Sequence, residues 1–186
     1  MVAELIRVFV GIPLDEETRH RLAHVVRSRV GLMPGHPVPP ENWHVTLRFL
    51  GPIEEVALDR VRAAFAGADL GAAFKIRWGA LGAFPRPSRA GVLWIGMEED
   101  GSHLHELAER VDAALEVAGF PPEDRPFRPH LTISRLRPEE DLREVVGEGW
   151  RCDVPMGVTR LSVFQSRLGR GGAKYRVLDE YPLKDR

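Results

Sequence analysis

A four-residue pattern occurs twice in this chain at a fixed separation, and this internal repeat constrains the fold more than any other feature. His44-Val45-Thr46-Leu47 recurs 86 residues later as His130-Leu131-Thr132-Ile133. A short segment and a proline follow each copy, Pro52 in the first and Pro138 in the second. A constant separation is the sequence sign of duplicated structure. Chance agreement between short segments is the alternative, so the flanking segments have to recur as well.

The segments around the two copies do recur in order at this separation. Apolar stretches with strand character alternate with amphipathic stretches of helical spacing in both halves. The predicted strands are 5–12, 74–81, 91–97, 159–166 and 173–179, and the predicted helices are 15–30, 54–65, 102–118 and 139–146. Agreement over five elements favours duplication over chance. We therefore predict an α+β fold with two pseudo-symmetric lobes of antiparallel sheet and outer helices, in which residues 1–186 form a single two-lobed domain.

Length and composition exclude several classes of protein. The chain has 186 residues, a net charge of -1 and one cysteine, Cys152. One cysteine cannot form an intrachain disulfide or a cysteine-rich zinc site, and no apolar stretch approaches the ~20 residues of a membrane span. We expect a cytoplasmic monomer that does not associate with membranes. Because the net charge is near zero, any phosphate-binding site has to be local.

Side chains alternate along a strand, so each copy of the pattern presents two polar groups on one face. His44 and Thr46 share one face of the first strand, as His130 and Thr132 do in the second. The opposite faces are apolar, with Val45, Leu47 and Phe49 in the first strand and Leu131 and Ile133 in the second. If a two-fold axis relates the lobes, both histidine and threonine pairs face one central cleft.

Two histidines and two threonine hydroxyls at one cleft suit the hydrolysis of a phosphodiester. Imidazole titrates near pH 6.5, so one ring can be neutral and act as a base while the other is charged and acts as an acid. The hydroxyls can donate hydrogen bonds to the non-bridging phosphate oxygens. We expect no metal and no cofactor, because threonine is a poor metal ligand and no acidic residue adjoins either histidine. A zinc site held by the two histidines is the alternative.

Five segments of the chain, 7–12, 43–51, 84–87, 92–94 and 125–133, carry residues typical of one family. The two most specific are Trp-His-Val-Thr-Leu-Arg-Phe-Leu-Gly at 43–51 and Arg-Pro-Phe-Arg-Pro-His-Leu-Thr-Ile at 125–133. They resemble the RNA 2',3'-cyclic phosphodiesterase branch, also called the 2'-5' RNA ligase family, of the two-histidine (2H) phosphoesterase superfamily. The resemblance implies that His44 donates a proton, that His130 accepts one and that the product is a 2'-phosphomonoester. Ser134 departs from the Ala or Gly expected there.

The resemblance implies metal-independent hydrolysis of 2',3'-cyclic phosphate ends, with RNA or a nucleotide carrying such an end as the partner. Two alternatives stay open. A 2'-5' RNA ligase would run the same site in reverse, with a 5'-hydroxyl replacing water, and residue types cannot separate it from the hydrolase. A binding module would hold RNA ends or nucleotides without turnover, and the intact histidines and threonines argue against it.

The candidate substrate-binding residues are Arg48, Arg128, Arg135, Phe49 and Tyr175. Strict alternation places Arg48 and Arg128 on the cleft face, whereas Arg135 falls on the apolar face unless the strand ends or twists before it. By the same count, Ser134 points into the cleft with His130.

Two loops rich in glycine, proline and arginine, 84–89 and 167–174, occupy related places in the repeat. They hold five basic residues, Arg86, Arg89, Arg167, Arg170 and Lys174. In a chain of net charge -1, this local concentration predicts a track for an RNA backbone. Hairpin connections need glycine and proline without any function, which is the alternative.

Overall fold

The computed structural model describes residues 5–99, 101–169 and 172–185 and contains two antiparallel sheets with helices packed on them. The strands are β1 (Ile6–Pro13), β2 (His36–Pro37), β3 (His44–Ile53), β4 (Phe74–Arg86), β5 (Arg89–Glu99), β6 (Leu131–Glu140), β7 (Val154–Val158), β8 (Arg160–Gly169) and β9 (Gly172–Pro182). The helices are α1 (Glu16–Val30), α2 (Glu55–Gly67), α3 (His103–Val117) and α4 (Arg143–Val146), with a 3-10 turn at Pro40–Asn42. The predicted α+β class is confirmed.

The strand order shows that each sheet draws on both halves of the repeat. The first sheet has the order β3-β1-β8-β9 and the second has β2-β6-β5-β4-β7. The first sheet therefore joins the two ends of the chain, while the second is built from its middle. The two strands that carry the histidine patterns, β3 and β6, lie close to each other where the sheets meet. This arrangement places the repeated motif on both sides of one cleft.

One hydrophobic cluster links both sheets and the three longer helices. It includes Val10 of β1, Ile95 of β5, Leu22 of α1, Leu58 of α2 and Leu107 of α3, all nearly inaccessible to solvent. Helix α1, next to the first sheet in sequence, contacts β7 of the second sheet, and α2 packs on α3. Because neither sheet has a core of its own, we keep the prediction that the chain forms one domain.

The predicted helices agree with the structure except in the fourth. Helix α1 begins after Asp15, whose carboxylate accepts a hydrogen bond from the Thr18 backbone N–H, as expected of a helix cap. The prediction of a helix over 139–146 is wrong in its first half. Strand β6 continues to Glu140, which pairs with Ala90 of β5, so only Arg143–Val146 is helical.

A β-bulge interrupts both motif strands at equivalent positions of the repeat. In β3, Val10 of β1 pairs with Arg48 and Gly11 pairs with Thr46, so Leu47 has no partner of its own. In β6, Ile133 is skipped in the same way, 86 residues later. A bulge adds one residue to a strand and therefore exchanges the two faces beyond it. Strict alternation fails in both strands for this reason.

No helix in the described part of the chain combines the length and the apolar character needed to cross a membrane.

The bulge in β3 predicts that Gly11 cannot carry a side chain. A Cβ atom at this position would lie 2.7 Å from the backbone oxygen of Val45. We expect Gly11→Ala to lower the free energy of unfolding by about 1–3 kcal/mol, because the backbone has to shift. Gly67→Ala is the matched control, since nothing lies within 4 Å of its Cβ position and alanine favours the last turn of α2. Urea unfolding measures both, and equal midpoints would contradict the register of β1 and β3.

Candidate active site

A cleft of about 600 Å³ contains both histidine and threonine pairs. His44 and Thr46 lie at the start of β3. Thr132 lies at the start of β6, and His130 is the residue just before that strand. The prediction that the two motifs face one central cleft is confirmed. The cleft is also lined by Arg7, Phe9, Asn42, Phe49, Phe84, Arg135, Arg137 and Tyr175.

The same backbone hydrogen bond orients both imidazole rings. The Nδ1–H of His44 donates to the carbonyl of Asn42 (2.7 Å), and the Nδ1–H of His130 donates to the carbonyl of Arg128 (2.6 Å). A carbonyl can only accept, so the proton of each neutral ring is on Nδ1 and the lone pair is on Nε2. The Nε2 atom of His44 lies 3.1 Å from the hydroxyl of Thr46, which can donate to it. In each ring Nδ1 is thus occupied by the backbone, and Nε2 is the nitrogen that faces the cleft.

Three aromatic rings contact His44, and together with His44 they come from every strand of the first sheet. Phe9 of β1 (4.6 Å between ring centroids), Phe164 of β8 (5.7 Å) and Tyr175 of β9 (5.0 Å) contact the imidazole, and Phe49 contacts Phe9. Tyr175 meets His44 edge to face. Burial in this cluster lowers the pKa of His44 to about 4, against the Asn42 hydrogen bond, which raises it. His44 is therefore neutral at pH 7 in the unliganded protein.

His130 has fewer aromatic neighbours than His44. Phe84 (5.1 Å between ring centroids) and Trp94 (6.3 Å) contact its ring in edge-to-face arrangements. Burial lowers the pKa of His130, and the charge of Arg135 lowers it further, while the hydrogen bond to the Arg128 carbonyl opposes both. A lowered pKa favours the neutral ring, which is the form that can accept a proton.

Three arginines, Arg7, Arg135 and Arg137, line the cleft, and none of the described lining residues is acidic. The bulge at Ile133 accounts for Arg135, because it moves this residue from the apolar face to the cleft. Arg7 and Arg137 also line the cleft but were not predicted from the sequence. Once the bulge is included, Arg137 could have been found by its alternation with Arg135.

The prediction that Arg48 shares the cleft face with His44 is wrong. Beyond the bulge at Leu47, its side chain is buried (8% exposed) and turned away from the lining of the central cleft. Its guanidinium pairs with Asp112 of α3 (3.0 Å) and donates to the Pro121 carbonyl. Arg48 thus anchors the segment that leads to His130.

The same bulges overturn two further consequences of strict alternation. Phe49, placed on the apolar face by that count, lines the cleft and is 62% exposed. Ser134, placed in the cleft, is fully buried and donates to the Pro34 carbonyl. Tyr175 lines the cleft, and the exposed Arg128 borders a neighbouring groove that also reaches His130.

The predicted basic track is only partly described. The first loop is a short turn, because β4 continues to Arg86 and β5 begins at Arg89, which pairs with Glu139. In the second, Arg170 lies outside the described residues. Within the described ranges, no three histidine, cysteine, aspartate or glutamate side chains are grouped so as to hold a metal ion.

Comparisons with known proteins agree with this architecture. A Thermus thermophilus protein of known structure superposes with a TM-score of 0.78 at 26% identity, covering 97% of this chain and 100% of that one. Apo Escherichia coli LigT superposes with a TM-score of 0.77 at 27% identity, covering 97% and 99%. Two antiparallel sheets that hold paired histidine and threonine motifs are the fold of the two-histidine phosphoesterases.

The family follows from the sequence matches. A family model described as the 2'-5' RNA ligase superfamily matches residues 16–170. An RNA 2',3'-cyclic phosphodiesterase of Aeropyrum pernix is 34% identical over 152 residues, which are 80% of this chain and 86% of the relative. One of Methanothermobacter thermautotrophicus is 32% identical over 190 residues, covering 96% and 99%. This chain belongs to the 2'-5' RNA ligase superfamily, and the resemblance found in the sequence is confirmed.

The buried ion pair predicts a structural effect of Arg48 that an exposed pair would not show. Arg48→Met should lower the free energy of unfolding by about 1–3 kcal/mol, because Asp112 and the Pro121 carbonyl lose their donor. Arg77→Met is the control, since its ion pair with Asp153 is exposed and should contribute less than about 0.5 kcal/mol. Urea unfolding measures both variants. Unchanged stability of Arg48→Met with a raised KM would instead make Arg48 a substrate ligand.

Proposed function

We propose that this protein hydrolyses RNA 2',3'-cyclic phosphate ends to 2'-phosphomonoesters by acid and base catalysis with His44 and His130. The observation that carries the proposal is the pair of imidazoles whose Nδ1–H groups are held by carbonyls, so that two Nε2 atoms serve one cleft. The two relatives compared above are RNA 2',3'-cyclic phosphodiesterases, which supports the same reaction. The partner is RNA, or a nucleotide, with a cyclic phosphate end.

The two rings divide the proton transfers, in the roles implied by the family. Nε2 of His130 takes a proton from water as the water oxygen attacks phosphorus. The bond between phosphorus and the 3'-oxygen breaks, and Nε2–H of protonated His44 gives its proton to that oxygen. The product is a 2'-phosphomonoester with a free 3'-hydroxyl. The Thr46 and Thr132 hydroxyls donate to the non-bridging oxygens, and Arg135 stabilises their charge.

The low pKa of His44 makes its protonation depend on the substrate. In the free protein, the ring is neutral at pH 7 because burial lowers its pKa to about 4. A phosphate anion in the cleft is an opposite charge close to the ring, and it favours the imidazolium. Substrate therefore favours the charged form of His44. The same phosphate charge acts on His130, so the division into acid His44 and base His130 rests on the roles that the family implies.

The cleft is polarised in a way that orients the nucleoside. The leaving 3'-oxygen stays attached to the ribose, so the sugar and base lie on the side of the acid, His44. Exposed Phe49 and the Tyr175 ring are on that side and provide apolar surface for a base. Attacking water enters from the side of His130, next to Arg135 and Arg137.

We also propose that the protein acts as a cytoplasmic monomer without bound metal.

The decisive experiment is incubation with an RNA that ends in a 2',3'-cyclic phosphate. The product should gain the mass of one water and lose its phosphate to a phosphatase, with the rate unchanged by EDTA. His44→Ala and His130→Ala should each lower turnover by ~10²-fold or more, and the double variant should be little slower, since both rings act in one transition state.

Several results would contradict the proposal. Joining of the cyclic end to a 5'-hydroxyl RNA without hydrolysis would favour the ligase, and binding without any product would favour the binding module. Activity lost in EDTA and restored by zinc would favour a metal site. If the losses of turnover in the single variants added strictly in the double variant, the two histidines would not act in one transition state.

A further inference from the structure

Asn42, the only asparagine in the chain, lies just before β3, and its carbonyl and its side chain make hydrogen bonds in different directions. Its backbone carbonyl accepts from the Nδ1–H of His44 (2.7 Å). Its carboxamide Nδ2–H donates to the carbonyl of Ala173 in β9 (2.7 Å), 131 residues further along the chain. One residue thus connects the orientation of an imidazole to a distant strand.

The hydrogen bond from the Asn42 carboxamide links opposite edges of the first sheet. In the order β3-β1-β8-β9, the strands that follow Asn42 and contain Ala173 are the two outermost. The bond therefore holds the sheet in a curl around the rings that enclose His44. Tyr175, two residues after Ala173, is on β9 and meets the His44 imidazole in an edge-to-face contact.

Hydrogen bonds of its own fix the backbone at Asn42. The residue ends the 3-10 turn Pro40–Asn42, and its N–H donates to the Pro39 carbonyl (2.8 Å). The next residue, Trp43, is buried and donates through its indole N–H to the Val38 carbonyl (2.9 Å). The carbonyl that His44 uses and the carboxamide that reaches β9 therefore start from one fixed point of the backbone.

The second repeat has a different side chain at this position. Arg128 stands 86 residues after Asn42, and its carbonyl accepts from His130 in the same way. Its side chain is exposed rather than tied across a sheet. The hydrogen bond from this side chain to another strand thus belongs to the His44 half of the site.

We propose that Asn42 is a positioning residue for His44. Its carboxamide holds β9 and the Tyr175 ring against the imidazole, and its carbonyl keeps Nε2 directed at the scissile bond. The role rests on the proposed function of His44 as the acid. Asn42 acts through His44 and Tyr175, so its loss should affect turnover more than substrate binding.

Kinetics of Asn42 variants test this role. Asn42→Ala should lower kcat by ~10- to 100-fold with a smaller rise in KM, because a small displacement of an acid is costly in the transition state. Asn42→Asp keeps the shape but replaces the donor with an acceptor, and it should lose at least as much. Arg60→Met is the control, since it removes a side-chain bond to the Ala118 carbonyl (3.1 Å) that joins two helices away from the cleft, and kcat should not change.

A double-mutant cycle and a titration separate positioning from general destabilisation. Tyr175→Leu removes the ring, and Asn42→Ala/Tyr175→Leu should be little slower than either single variant, because both disturb the same contact with His44. In Asn42→Ala, NMR titration should show the pKa of His44 moving up toward 6.5 as its surroundings loosen. The charged and titratable groups near the ring, Tyr175, His130 and Arg135, are unchanged in that variant.

The titration needs no turnover, so it tests the role of Asn42 even if the cyclic phosphodiesterase reaction is absent. Wild-type protein without activity would overturn the proposed function alone. Wild-type kcat in both Asn42 variants, together with an unchanged His44 titration, would overturn the positioning role. Additive losses in the cycle would also count against it.

Discussion

The hydrogen bond from each imidazole Nδ1–H to the carbonyl two residues upstream is the interaction on which the rest of the site depends. Without it, either ring could place its proton on either nitrogen and turn away from the cleft. The carbonyls of Asn42 and Arg128 fix both choices, since the backbone accepts but never donates at oxygen. The adjoining strands β3 and β6 then bring the two Nε2 atoms to one cavity.

The duplicated frame carries different side chains, and this difference separates the two histidines. The bulges fall at equivalent positions, and the first residue that each returns to the cleft is Phe49 in one strand and Arg135 in the other. The ring contacts differ as well: His44 contacts three aromatic rings and its pKa falls to about 4, whereas His130 contacts two, and Arg135 lowers the pKa of both histidines. A symmetric backbone thus supports an asymmetric pair, which a reaction with one acid and one base requires.

Much of the fold could be predicted from the sequence, because the periodic segments and their constant separation are local properties. Strand alternation then identified the inward faces at His44 and His130 correctly. It failed beyond Leu47 and Ile133, since a bulge depends on the pairing of two strands and leaves no mark in the side-chain pattern of one. For the same reason, Arg48 was expected in the cleft, although its partner Asp112 lies on a helix distant in sequence.

The carbonyl acceptors were also beyond the reach of sequence analysis, because every residue has a carbonyl. Nothing in the residue types marks those of Asn42 and Arg128. The bond from Asn42 to Ala173 spans 131 residues and appears only once the sheet order is known. The division of the chain into repeats does not coincide with the sheets, since the first sheet joins both chain ends.

Nitrogen-15 NMR titration of the histidines, with and without a nucleotide 2'-phosphate, tests the central claim most directly. In the free protein at pH 7, His44 and His130 should both carry the proton on Nδ1 with Nε2 unprotonated. As pH falls, His44 should protonate well below pH 6.5, because burial lowers its pKa to about 4. Bound 2'-phosphate should raise that pKa. A proton on Nε2 of the neutral rings, or a charged His44 at pH 7 without ligand, would contradict the account.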